Sequence, residues 1–159
     1  MNYILFDGTV RDALLPFTFT RPVADIRVGI LTIREKWERH LGFSTTTLTE
    51  DYLMDKFPMV EMENNVMINA SFLPNDILVA MIKSIEPNQA IFYKDEVIAF
   101  YTQDTQEDVD FDSYHIIPFE EDCLRIEHTW DIFMKNDLAI REDFELITEG
   151  RHSQSIPKS

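Results

Sequence analysis

Residues 1–41 read MNYILFDGTVRDALLPFTFTRPVADIRVGILTIREKWERHL, and the fold turns on them. The apolar run Tyr3 to Phe6 has strand character and stops at Asp7-Gly8, a turn signal. A loop carrying Arg11, Pro16 and Arg21-Pro22 follows, and from about Asp25 the spacing Ile30, Ile33, Trp37, Leu41 predicts an amphipathic helix that ends at Gly42. Strand, glycine turn, basic loop and helix is an arrangement that offers backbone N–H groups and fixed positive charge to a phosphate.

Charge isolates the same stretch. The 159-residue chain carries a net charge of -15, which argues against nucleic-acid backbones and anionic membranes as partners, since both repel it. Residues 1–41 nonetheless hold six of the 14 basic side chains, Arg11, Arg21, Arg27, Arg34, Lys36 and Arg39, against five of the 29 acidic ones. Arg34, Lys36 and Arg39 are expected to solvate a helix face, pairing with Glu35 and Glu38. Arg11 and Arg21 lie outside any helical period, so they are the candidate phosphate ligands.

The size fits one domain, and the 45% hydrophobic content fits a packed core. No apolar run nears the roughly 18 residues of a membrane span, no signal-peptide pattern opens the chain, and a lone Cys123 allows no internal disulfide. A cytoplasmic location is expected.

Further along, Phe43–Leu48 reads as a strand, and Thr47 with Glu50 as a capping box for a brief helix to Phe57. Val66–Ala70 reads as a buried strand, and Asn75 caps a helix from Asp76 to Ile85. Gln89–Tyr93 and Glu96–Tyr101 form a hairpin around Lys94-Asp95. Gln103–Ser113 is an acidic loop, and His115–Phe119 and Cys123–Ile126 are short strands. Thr129 caps a last helix whose stripe is Trp130, Phe133, Ile140, Phe144 and Ile147, with Asp137 at its edge, ending near Gly150. The alternation implies an α/β fold: a three-layer Rossmann-like, mostly parallel sheet with helices on both faces and an antiparallel hairpin at the edge. Ligands of such sheets bind beyond the carboxyl ends of the strands, which places Asp7-Gly8 and Asn69-Ala70-Ser71 on one rim.

Phe6-Asp7-Gly8-Thr9-Val10 resembles the first motif of haloacid-dehalogenase-like phosphatases, but Leu5 stands where that family has its nucleophilic aspartate, so the covalent chemistry is lost. His40, His115, His128 and His152 show no metal-ligand spacing, and Cys123 reads as a small core residue.

A second resemblance covers most of the chain. Tyr3–Phe6, Gly8-Thr9 with Arg11, Pro16-Phe17-Thr18 and Arg21-Pro22 resemble the strand, glycine loop, Pro-Leu-Thr segment and Lys-Pro of sugar-1-phosphate nucleotidyltransferases. The segments NYILFDG (2–8), LLPFTFTRPVADIRVGILTIREKW (14–37), MINASFLPN (67–75) and EHTWDIFMKNDLAIREDFELITEGR (127–151) resemble the N-terminal domain of a divergent bacterial group of bifunctional N-acetylglucosamine-1-phosphate uridyltransferases and glucosamine-1-phosphate acetyltransferases. The resemblance implies a nucleotidyltransferase-like domain over 1–150 and a linker over 151–159 to a hexapeptide-repeat β-helix, through which the protein would oligomerise. It implies transfer of a nucleotidyl group from UTP to N-acetylglucosamine-1-phosphate with release of pyrophosphate. It assigns Arg11 and Arg21 to catalysis, Gly8, Thr9 and Asn69 to nucleotide phosphates, and Asp7 and Ser71 to Mg2+. Two departures stand out. The loop has one glycine beside an acid, and Asn69-Ala70-Ser71 replaces an Asn-Gly-Asp whose aspartate helps hold the metal, leaving Ser71, Asp7, Asp76 or Asp131 to supply that ligand. The alternative is a degenerate module that binds nucleotide or sugar phosphate without turnover, or only packs against the β-helix.

Overall fold

The computed structural model describes residues 1–103, 109–152 and 154. Six strands, β1 (Asn2–Phe6), β2 (Thr46–Leu48), β3 (Asn65–Asn69), β4 (Gln89–Tyr93), β5 (Glu96–Thr102) and β6 (His115–Pro118), form one sheet in the order β2-β1-β3-β5-β4-β6. β2, β1 and β3 run parallel, β5 is antiparallel to both its neighbours, and β6 is parallel to β4. The protein is therefore the expected α/β domain with a mostly parallel sheet, and β6 continues it beyond the hairpin β4–β5.

The period-2 pattern of the strands separates two cores. Tyr3 and Leu5, Val66 and Ile68 face the larger one, filled by Ile33, Trp37 and Leu41 of helix α1 (Ile33–Leu41) and Leu78 and Ile82 of α3 (Asp76–Lys83). Ile4, Met67 and Phe100 face the other, covered by a 3-10 turn at Phe111–Ser113. There Phe111 packs edge-on to Phe92 and Phe100 at ring distances of 5.3 and 5.2 Å. The acidic segment 103–113 thus ends in an aromatic lid rather than a solvent loop; its residues 104–108 lie outside the described ones.

The chain leaves β1 for β2 on one side and returns to β3 on the other, which makes the carboxyl ends of β1 and β3 the topological switch point. The Ala70 N–H donates to Phe6 O at 2.9 Å and holds these two ends together.

Four expectations are corrected. The first helix starts at Ile33, not near Asp25, because Thr32 accepts from Glu35 N while the Glu35 carboxylate accepts from Thr32 N, a capping box that fixes the start. Before it, Val23–Asp25 is a 3-10 turn, Gly29 lies at φ +81°, and Arg27 bridges Thr32, so Ile30 sits on a turn and is partly exposed. Arg34 binds Asp25 with two hydrogen bonds (3.0 and 2.9 Å), and Lys36 is buried, so neither solvates a helix face. Second, the brief helix α2 (Asp51–Met54) is not boxed by Thr47, which is buried in β2 and accepts from Arg34. Third, Cys123–Ile126 is no strand: only Arg125 bridges, to Phe72.

Fourth, the last helix breaks at Lys135 into α4 (Thr129–Met134) and α5 (Asn136–Thr148), and its apolar stripe faces outward. Trp130, Phe133 and Phe144 are 57%, 72% and 61% exposed. Polar anchoring sets the rotation instead. The buried Asp143 carboxylate accepts from Ile30 N (2.8 Å), Leu31 N (3.0 Å) and Lys36 Nζ, and Asn136 Oδ1 accepts from Gly29 N (2.9 Å). A Cβ on Gly29 would stand 2.6 Å from Asp143 Oδ2, so only glycine admits this contact. Asp137 pairs with Arg141 at the surface.

Candidate functional site

Asp7 and Gly8 leave the carboxyl end of β1 at the switch point. Gly8 has φ +65°, a conformation open to glycine, and a Cβ there would approach Asn69 Oδ1 to 3.0 Å. Asn69, at the end of β3, is held in place: its Nδ2 donates to Val97 O (3.1 Å), and its Oδ1 accepts from Ser71 N (3.0 Å) and Ser71 Oγ (2.8 Å). The predicted rim is therefore real, with Asn69 as the floor under Gly8.

A cleft of about 350 Å³ opens here, lined by Phe6, Asp7, Gly8, Thr49, Glu50 and Met54 among others. Arg11 borders it but is engaged from several sides. Its Nη1 donates to Asp7 Oδ2 (2.5 Å) and Thr49 Oγ1 (3.3 Å), and its Nη2 to Thr18 O (2.6 Å) and the Tyr52 hydroxyl (2.9 Å). Asp7 in turn accepts from Val23 N (2.7 Å) and Thr49 Oγ1 (2.5 Å). Both charges are buried and paired, so their attraction and hydrogen bonds offset the desolvation of each. The pair knits the loop 8–25 to Thr49, just past β2, and to Tyr52 of α2.

Arg21 differs. It is exposed and, among the described residues, without an ion pair or hydrogen bond, on a loop tied to Asp7 through Val23 N two residues further on. The chain thus sorts its two candidate arginines into one structural cation and one free one. Thr9 is exposed at the rim and donates to Glu96 Oε1 at 3.3 Å.

Asp7 and Ser71 were the expected metal ligands. Both Asp7 oxygens are occupied, and Ser71 is fully buried, its hydroxyl donating to Asn69 and accepting from Arg125 Nε at 3.4 Å. These residues do not offer Mg2+ a donor set, and among the described residues no three acids, histidines or cysteines converge to hold a metal. Asp76 is exposed at the start of α3. Asp131 closes the start of α4, accepting from the N–H groups of Glu127 and His128 at 2.9 Å each; burial alone would raise its pKa, but these donors and Lys135 hold it below the ordinary carboxylate value. Cys123 is a half-buried free thiol whose pKa burial pushes up, which keeps it protonated and unreactive.

Sequence reading overlooked Glu96 and Arg125, which the structure brings to the same rim. Arg125 carried a signal, a charge between Leu124 and Ile126 in an apolar run.

No helix among the described residues is long and apolar enough to cross a membrane. Residues 3–152 match the protein family described as sugar nucleotidyl transferase. No curated protein matches the chain.

Proposed function

Because the chain belongs to the sugar nucleotidyl transferase family, we propose that it transfers a nucleotidyl group from UTP to N-acetylglucosamine-1-phosphate, as a member of the bifunctional uridyltransferase and acetyltransferase group. A phosphate oxygen of the sugar attacks the α-phosphorus, a new P–O bond forms, the bond to the bridging oxygen breaks, and pyrophosphate leaves with that electron pair. The protein contributes position and charge.

The observation that carries this is Gly8, at positive φ on the switch point, with Asn69 beneath it and the free Arg21 on the loop pinned to its neighbour Asp7. Gly8 and Thr9 let phosphate approach the backbone. Arg21 grips it with its planar fork, a geometry that lysine lacks. Arg11 acts one step back, holding Asp7 and the loop. Mg2+ enters as part of the nucleotide substrate.

The test is pyrophosphate release from MgUTP and N-acetylglucosamine-1-phosphate. Release that Arg21→Ala abolishes supports the proposal, and no release with any nucleoside triphosphate and sugar phosphate sinks it. A second reading, binding without turnover, is favoured by one observation, the buried Ser71 where the family carries a carboxylate. It requires calorimetric binding of UTP with no release.

A further inference from the structure

Four elements meet at the rim beside Thr9. Glu96, which opens β5, accepts from Thr9 Oγ1 (3.3 Å) and pairs through the same oxygen with Arg125 Nη2 (3.2 Å). Arg125 lies over the Phe72 ring, 4.9 Å from its centroid, its Nη1 reaches Glu127 at 3.0 Å, and its Nε reaches Ser71 Oγ. The arginine side chain is 14% exposed and the Glu96 side chain 34%. A carboxylate thus touches the loop that meets nucleotide phosphates, and a stacked arginine holds that carboxylate.

Electrostatics gives this arrangement a sign. An uncompensated carboxylate beside a triphosphate repels it, and partial burial weakens solvent screening of that repulsion. Arg125 serves two acids, so Glu96, Glu127 and Arg125 together carry one negative charge; without the arginine they carry two. We propose that Arg125 is a positioning residue for nucleotide binding: it neutralises Glu96 and aims it at Thr9, without touching the phosphates itself. The inference rests on Gly8 and Thr9 being the phosphate loop.

A merely structural role for Arg125, bolting residues 123–126 to Phe72, and direct contact with phosphate both give a different pattern of rescue. In Arg125→Gln the cluster loses its positive charge, and its net charge becomes one unit more negative. In the double variant Arg125→Gln with Glu96→Gln the net charge returns to that of the wild type, and glutamine still accepts from Thr9.

The experiment is calorimetric titration of MgUTP and of inorganic pyrophosphate into the full chain and its variants, in low and in 0.5 M salt, with unfolding curves for each variant. Arg125→Gln is expected to weaken both ligands by about 5- to 10-fold at low salt, from roughly one charge acting across several ångströms, and by less at high salt. The double variant is expected to return within about twofold of the wild type, and Arg125→Lys, which keeps the charge, to stay within about threefold. Arg125→Lys also serves if Arg125→Gln does not fold. A double variant as weak as Arg125→Gln overturns the inference alone, as does an Arg125→Lys variant that loses all affinity while folded. A wild-type chain that binds neither ligand overturns the phosphate-loop assignment and the inference with it.

Discussion

Lys36 on α1 and Asp143 on α5 stand 107 residues apart in the chain and form an ion pair in which the residues are only 4% and 2% exposed. Burial pushes the Lys36 ammonium below its ordinary pKa, and the Asp143 carboxylate draws it back up. Asp143 also receives the N–H groups of Ile30 and Leu31. Asp143→Ala is therefore expected to cost about 3–5 kcal/mol, since it leaves a buried cation and two donors unpaired. Urea unfolding measures it, and a loss below about 1 kcal/mol would contradict the anchoring role.

The two arginines of the opening loop should separate in the same assay. Arg11→Ala removes the partner of buried Asp7 and four hydrogen bonds, and is expected to cost about 3 kcal/mol or more. Arg21→Ala removes an exposed side chain without a partner among the described residues, so stability should stay within about 0.5 kcal/mol while MgUTP binding falls. The reverse pattern would exchange their roles.

Gly8→Ala meets both a positive φ and the Asn69 side chain at 3.0 Å. An expected loss of about 1–2 kcal/mol from the backbone alone should come with weaker nucleotide binding as Asn69 is displaced. Gly42→Ala is the control: its φ is +80° but nothing lies within 4 Å, so it should cost stability without changing affinity.

Phe133→Ser and Phe144→Ser, although drawn from the apolar stripe of the last helix, should change stability by less than about 0.5 kcal/mol, because both side chains already face solvent. Ile82→Ala in α3, fully buried, should cost about 2–5 kcal/mol. Equal losses at all three positions would place the stripe back in the core.

Glu35 supplies a pH dependence. The Thr32 N–H hydrogen bond holds its carboxyl below the ordinary value of 4.5. With the folded pKa depressed, the unfolded chain binds more protons in acid, so this contribution is complete above about pH 4.5 and is lost as pH falls through the folded pKa. The side chain is 45% exposed and screened, so the effect should be only a few tenths of a kcal/mol. Unfolding at pH 7 and pH 3.5 should show it in the wild type and not in Glu35→Gln; equal slopes in both would remove Glu35 from the account.

Local chemistry was legible in the sequence. The apolar runs of β1 and β3, the Asn75 cap and the hairpin follow from period, turn residues and side-chain acceptors that act within a few positions. The Thr32 capping box was equally local, yet the periodicity upstream masked it, since Ile30 continued a stripe that Gly29 had already ended. Gly8 as the turn that ends the first strand was likewise readable, since a glycine after an apolar run is a turn signal and its φ is positive.

The sequence by itself determined the α/β class, the rim that joins Asp7-Gly8 to Asn69, and the share of positive charge held by residues 1–41. Only the tertiary structure decided how that charge is used. Arg11 is bound into the scaffold because Asp7 just past β1, Thr49 just past β2 and Tyr52 on α2 converge on it, whereas Arg21 has no partner among the described residues. It also decided which face of the last helix is buried: a carboxylate held by two N–H groups and a lysine from α1 and the turn before it outweighs an apolar stripe with no surface to meet. Apart from Arg11 and Asp7, four positions apart, these pairings join residues more than 30 positions apart, and no local period records them.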